Sequence, residues 1–286
     1  MNKSLKQYLY RHGDSASILI VCLLMLTLFS ILALGIYKIV SSRAVFAMRV
    51  ESSVISQRLA RSCVVYAMAE RKKDLSKYDV LNKFGNKTEK ELGRGKFSYT
   101  IIDEESKVNI NTAPVEVISR LPGLNLKLAQ AISASELRPF KLKEEVLLVG
   151  GINKEIYSGF KDFITVHTAG KVNINTASPE VLKALGFDDG IIDIIKDFRA
   201  GEYKEELAEY NGVFTDTSAV LSTMRSLVGF SGPEEANIIQ VLGKNLITVA
   251  SANFCLQIDT EILGRPAAKF VVIIDKEGKI KEWHEY

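Results

Sequence analysis

The chain has 286 residues, room for one large domain or two smaller ones beside any anchor. Hydrophobic residues make up 47% and charged residues 25%, so a packed core is feasible and disorder is excluded as the default state. A formal net charge of +3 is too weak to mark a nucleic-acid binder by itself.

The first element is apolar. No residue from Ala16 to Tyr37 is charged, and most are Leu, Ile, Val, Phe or Met. That length can cross a hydrocarbon core, which takes about 20 residues at ~1.5 Å each. Lys3, Lys6, Arg11 and His12 stand before it, with no acid until Asp14. The basic flank predicts a cytoplasmic N-terminus and an exported body. A secretory signal peptide is the alternative, but its apolar region runs only ~7–15 residues before a small-residue cleavage site. The run here is longer and stays helical in pattern, which favours a single spanning helix.

From Ser41 to about Arg71 there is no Pro and no Gly. Apolar residues recur at Val50, Val54, Ile55, Leu59, Cys63 and Tyr66, with Arg49, Glu51, Arg58 and Arg61 on other faces. This is a helical stripe, and it predicts that the helix continues beyond the membrane with one face against a soluble body. Upstream, a short basic leader ends in Gly13, followed by Asp14. It resembles the leader of type IV prepilins, which a membrane peptidase cuts after a Gly while leaving the helix attached. Most pilins carry Glu at the fifth mature position. Counting from Asp14 that residue is Ile18, which argues against an ordinary major pilin.

Three cysteines are present: Cys22 in the apolar run, Cys63 and Cys255. No Cys-x-x-Cys spacing exists, so neither a zinc ribbon nor a thioredoxin-like site is indicated. Cys63 and Cys255 leave two alternatives open, a disulfide in an oxidising compartment or two buried free thiols, and the thiols are favoured.

The body opens with Lys96 to Asp103, which alternates Phe97, Tyr99 and Ile101 with polar partners as a half-buried strand. Glu104 to Ser106 turns the chain into a second strand, Lys107 to Ile110. Then comes an internal repeat: Lys-Val-Asn-Ile-Asn-Thr-Ala occurs at Lys107 to Ala113 and again at Lys171 to Ala177. After each copy Pro114 and Glu116, or Ser178, Pro179 and Glu180, mark a helix start, with Thr112, Thr176 or Ser178 available as caps. Val115 to Ile132 and Pro179 to Ile195 each read as helix, tight turn, helix.

These units resemble the helix-hairpin-helix module, many examples of which bind DNA. A phosphate-gripping hairpin usually offers Gly-hydrophobic-Gly so that backbone can approach the anion. Here the turns are Gly123-Leu124-Asn125 and Gly186-Phe187-Asp188, without the second Gly. From Lys107 to Arg199 there are twelve Lys and Arg against eleven Asp and Glu, a net of +1. That gives little counterion-release drive, so helical packing is favoured over DNA binding.

A well-capped helix runs from Ser231 to Gly243. Leu246 to Ile258, Lys269 to Asp275 and Lys279 to Trp283 read as strands, the last two joined at Lys276-Glu277-Gly278. The simplest topology is one antiparallel sheet interrupted by a helical block.

At this point the residues carry a family. The chain resembles the minor pseudopilin K family of the type II secretion system over nearly its whole length. The resemblance rests on the leader with Gly13, the helix lacking an acid at Ile18, Ile101 to Ala113, Phe140 to Ala177, Ile247 to Phe254 and the last strand with Trp283. It implies an α+β, pilin-like fold: a long N-terminal helix on an antiparallel sheet, with a large inserted α-helical domain of two helix-hairpin-helix (SAM-like) units. The implied organisation is a leader at 1–13, a long helix at 14–75 spanning the membrane at 16–37, a β-domain at 76–110 and 244–286, and the α-domain at 111–243.

The resemblance further implies cleavage between Gly13 and Asp14 by prepilin peptidase, and a family motif at Asn109, Asn111 and Thr112 and at Asn173, Asn175 and Thr176. It implies a place at the pseudopilus tip in the inner membrane, with the body periplasmic. The partners would be the other minor pseudopilins, the inner-membrane secretion platform and exported proteins, not nucleic acid. In pilins the fifth-position acid pairs with the neighbour ahead, and a tip subunit has none, which suits Ile18.

No cofactor is expected, although some members of that family hold structural calcium. Asp188, Asp189, Asp193, Glu205, Glu206 and Glu209 offer oxygen ligands but form no EF-hand loop, and a solvated helix face explains them more simply. Two other function classes are open. A membrane-anchored DNA receptor of the competence type also combines an anchor with paired hairpins. A hydrolase is disfavoured: His12, His167 and His284 lie in no Gly-x-Ser-x-Gly or His-Glu-x-x-His context. His167 reads as a surface or packing residue.

Overall fold

A computed structural model describes residues 3–74, 76–80, 84–202 and 212–286, with side chains from residue 18 onward. It divides into two units, Met1–Ile55 and Ser56–Tyr286.

The first unit consists of the N-terminal part of helix α1 (Lys3–Arg71). Ile18 to Val54 expose large apolar side chains on every face, and the helix is long and apolar enough to cross a membrane. A helix apolar all round suits lipid, not water. The Thr27 and Ser30 hydroxyls donate to the carbonyls of Leu24 and Leu26, so neither is left unpaired. Val50 and Val54 are 47% and 43% exposed, so the buried stripe expected to start there begins lower.

In the second unit Leu59, Ala60, Cys63, Val64, Ala67 and Met68 are buried, a stripe that recurs every three to four residues. The strands are β1 (Thr88–Leu92), β2 (Gly95–Asp103), β3 (Val108–Asn109), β4 (Ile164–Thr165), β5 (Val172–Asn173), β6 (Ile247–Thr248), β7 (Asn253–Ile262), β8 (Arg265–Asp275) and β9 (Ile280–Glu285). Five of them form an antiparallel sheet in the order β1-β2-β7-β8-β9. The α1 stripe packs on one face: Tyr66 meets the rings of Phe97 and Tyr99 at 6.2 and 6.3 Å. The approach is close: a Cβ added at Gly95 would sit 2.5 Å from Leu59 Cδ1 and 3.1 Å from Glu261 O, so the leucine would have to shift.

Strands β2 and β7 pair over nine positions although about 150 residues separate them. The helical block between them comprises α2 (Val115–Ser119), α3 (Leu126–Ser133), α4 (Lys154–Phe160), α5 (Pro179–Leu185), α6 (Asp189–Ala200), α7 (Val220–Leu227) and α8 (Gly232–Gly243). Its core includes Ile118, Leu121, Phe160, Leu182, Leu185, Ile195 and Phe198. Asn125, Asn153 and Ser178 cap α3, α4 and α5, and the Glu234 carboxylate accepts from the Ser231 N–H at the start of α8. Ser178 is therefore the cap of α5, while α2 starts at Pro114 without a side-chain cap, so Thr112 and Thr176 cap neither helix.

Three strand expectations change. Val108–Asn109 does not join β2 but pairs in parallel with β4, and β5 pairs likewise with β6. The reason is the 3₁₀ turn Glu104–Ser106, capped by Asp103, which turns the chain out of the sheet. The stretch Leu246 to Ile258 breaks between β6 and β7, because Val249 O and Ser251 N are bonded to Asp79 instead of to a ladder. Strand β1, Thr-Glu-Lys-Glu-Leu, is an exposed edge strand whose charged composition carries no strand signal.

Candidate functional site

The two copies of the repeat fold alike. Asn109 Oδ1 accepts from Asn111 N at 2.8 Å, and Asn173 Oδ1 from Asn175 N at 3.0 Å. Each second Asn then grips a distant backbone at two points. Asn111 Nδ2 donates to Phe140 O at 2.8 Å while Phe140 N donates to Asn111 Oδ1 at 2.8 Å. Asn175 does the same with Phe214, at 2.9 Å in both directions. A side-chain amide offers a donor and an acceptor side by side, as this two-point grip requires. An arginine closes each unit, Arg138 on Ala113 O and Arg199 on Ala177 O and Ile174 O. Burial pushes the Arg199 pKa down to about 10.

The first Asn of each copy differs. Asn109 Nδ2 donates to Thr168 O at 2.5 Å, within its own unit. Asn173 Nδ2 reaches outward to Ser251 Oγ, Asp103 Oδ2 and Asp79 O at 2.9, 3.1 and 3.2 Å. Asp103, 2% exposed, also accepts from Thr176 Oγ1 at 2.5 Å, Ser251 Oγ at 2.6 Å and Glu105 N at 2.8 Å. Burial pushes its pKa up and the hydroxyl donors pull it down, with the upward direction prevailing. Asp79 pairs with Arg71 at 2.6 Å, and the Arg71 guanidinium lies 4.3 Å over the Phe254 ring. Glu105 takes both the N–H and the amide of Asn253, and burial pushes its pKa up to about 7. A buried polar hub thus joins the end of α1, the end of β2, the second repeat and the β6–β7 link.

Both hairpins lie against a neighbouring helix, although Gly123 and Asn125 of the first and Asp188 of the second are exposed. The Leu124, Gly186, Phe187 and Asp188 N–H groups all donate within the protein. Gly186 O accepts from Asn237 Nδ2 at 2.9 Å and Leu185 O from Lys244 Nζ at 3.2 Å. The first hairpin lies on α4, where a Cβ added at Gly159 would meet Pro122 O at 3.5 Å. Three of these N–H groups bond within their own hairpin and that of Asp188 bonds Asn237 of α8, so none of the four is left to cradle phosphate.

Of the other sequence-indicated residues, Gly13 and Asp14 lie in the α1 backbone, and their side chains are outside the described ones. Ile18 is 64% exposed. Thr112 is exposed, whereas Thr176 is buried in the hub. Asp189 and Asp193 carry surface ion pairs to Lys183 and Lys196, and Glu205, Glu206 and Glu209 lie outside the described residues. Among the described residues no three His, Cys, Asp or Glu side chains are arranged to hold a metal ion. Cys63 and Cys255 are buried and unbonded, and burial pushes both thiol pKa values up, that of Cys255 to about 11. Sequence reasoning missed Asp79, Asp103 and Ser251. A signal for Ser251 existed: Ile-Thr-Val recurs at Ile164 to Val166 and Ile247 to Val249, so the repeat has a second half.

Comparison with known proteins fits this geometry. A family described as "Helix-hairpin-helix motif" matches residues 103–165. No curated protein sequence matches. Among solved structures, a chain of the GspK-GspI-GspJ complex from the enterotoxigenic Escherichia coli type 2 secretion system superposes with a TM-score of 0.55 at 15% identity, covering 83% of this chain and 97% of that one. The chain therefore has a type II secretion pseudopilin-like fold, with a long helix on an antiparallel sheet and an inserted helix-hairpin-helix block.

Proposed function

We propose that this chain is a minor pseudopilin of the K type. In this reading it is a non-enzymatic subunit at the tip of a type II secretion pseudopilus, where it helps start assembly and assists export across the outer membrane. The observation that carries the reading is the likeness over 97% of a chain from a complex of three secretion-system proteins. The bonds from Asn237 and Lys244 to the second hairpin support a packing role for the inserted block. A helical block above the sheet suits a tip, because it would obstruct further subunits stacked on top. The apolar run would hold the protein in the inner membrane, N-terminus cytoplasmic, after cleavage between Gly13 and Asp14. Exposed Ile18 would then stand at the fifth mature position, where no neighbour ahead requires an acid.

The partners are the other minor pseudopilins, the inner-membrane platform, prepilin peptidase and exported proteins. No cofactor is assigned; structural calcium stays an expectation of the resemblance without named ligands. The test is co-purification of the full chain, in detergent, with the other minor pseudopilins of its secretion system. A stable stoichiometric complex is the expected result. A chain that stays alone but binds duplex DNA tightly and salt-sensitively would instead establish the DNA-receptor reading.

A further inference from the structure

Strand β9 closes one side of the sheet, and its outer edge carries unused backbone groups. Tyr286 and Lys269 exchange both backbone bonds, and bonded pairs then alternate along the strand through His284 and Glu282. Trp283 and Glu285 therefore turn their N–H and C=O groups away from β8, and no other backbone meets them among the described residues. Beside this edge, between the sheet and the first helix-hairpin-helix unit, lies a cavity of about 630 Å³. That volume is within the range of ligand sites, roughly 300–1,000 Å³. Val271 and Ile273 of β8 form its apolar floor, and Glu282 and His284 of β9 stand at its border.

The charges around the cavity are unequal. Glu104 pairs with Lys107 at 2.5 Å, Glu282 is held by His167 and His284, and Lys143 Nζ is turned to Lys161 O at 3.5 Å. Glu144 and Asp162, exposed on the helical rim, take part in no ion pair among the described residues. Close by, the Tyr157 hydroxyl is buried without a hydrogen-bond partner, in a side chain 8% exposed. Burial first, and then the charges of Glu144, Asp162 and Glu282, push its pKa up, so the three carboxylates face one region.

We propose that β9 and this cavity together receive an extended segment of a partner polypeptide that carries Lys or Arg at alternate positions. The segment adds a strand to the sheet through the free backbone groups of Trp283 and Glu285. Alternate side chains of an added strand then project on the cavity side, next to Glu282 and His284. A Lys or Arg there lays its methylene stem over Val271 and Ile273 and carries its cation to Glu144 and Asp162. A free amine or a metal ion leaves the strand edge and the apolar floor unused, and an acidic segment meets uncompensated carboxylates. The site does not depend on the pseudopilin role.

The test is fluorescence anisotropy of a labelled synthetic peptide of alternating Arg and Val, titrated with the full chain in nonionic detergent. Saturable binding that weakens with salt is expected. The same peptide with Glu in place of each Arg, and one with Pro at its centre, should each bind at least about tenfold more weakly. Glu144→Gln combined with Asp162→Asn should also weaken binding about tenfold, and both positions are exposed, so the fold should hold. Absence of saturable binding overturns the proposal, as does equal binding of the Glu or Pro peptide, or undiminished binding by the double variant. The comparison of the three peptides on the wild type is decisive even where the variant does not fold.

Discussion

Asn173 and Asp103, 70 residues apart in the chain, meet at 3.1 Å between side-chain amide and carboxylate in a site closed to water. Asn109, the same residue in the other copy of the repeat, meets a carbonyl of its own unit. Identical heptapeptides therefore do different work: one closes a module, and the other docks its module on the sheet.

That contrast gives a first prediction. Asn173→Ala leaves Asp103 and Asp79 O short of a buried donor and should cost about 3 kcal/mol. Asn109→Ala removes one bond outward and should cost about 1 kcal/mol. Denaturant midpoints of the full chain in detergent measure both, and equal losses would contradict the hub.

Stability should fall as pH rises through the neutral range. Glu105 has a folded pKa of about 7, above the ordinary carboxylate range, so the folded state binds the proton more tightly. The stabilisation is complete below the unfolded pKa and is lost as pH rises through the folded one, on the order of 3 kcal/mol between them. Thermal melts at about pH 5 and about pH 8 should show it, and Glu105→Gln should flatten the dependence. A midpoint that rises with pH in the wild type would reverse the sign.

The contact of α1 with β2 is tight at one point. Gly95→Ala places a methyl on Leu59 Cδ1 and should cost about 1–3 kcal/mol. Adding Leu59→Ala to Gly95→Ala should cost less than the two single losses summed, because each relieves the other. Strict additivity in a double-mutant cycle would mean that the residues do not touch.

These contacts mark how far the chain could be read from its residues. The apolar run, the stripe through Leu59 and Cys63, both hairpins and the interrupted sheet were legible, because each rests on local periodicity or turn chemistry. The parallel pairing of Val108–Asn109 with β4 was not, since a two-residue bridge has no period to read. Nor was the hub: Asp79, Asp103 and Ser251 are single polar residues at sequence positions that look like loops. The repeat flagged Asn173, but what it bonds depends on how the chain returns to it.

Processing offers an independent check. Cleavage between Gly13 and Asp14 is expected from the leader pattern. N-terminal sequencing of the membrane-extracted protein should begin at Asp14, and an intact Met1 or a start beyond Tyr37 would contradict it.

Mixing the detergent-solubilised full chain with the other minor pseudopilins and measuring the mass of the product decides between a pseudopilin and a DNA receptor. One defined complex containing each subunit is the predicted result. A chain that elutes alone with every partner, while retaining duplex DNA at low salt and releasing it at high salt, would contradict the pseudopilin role.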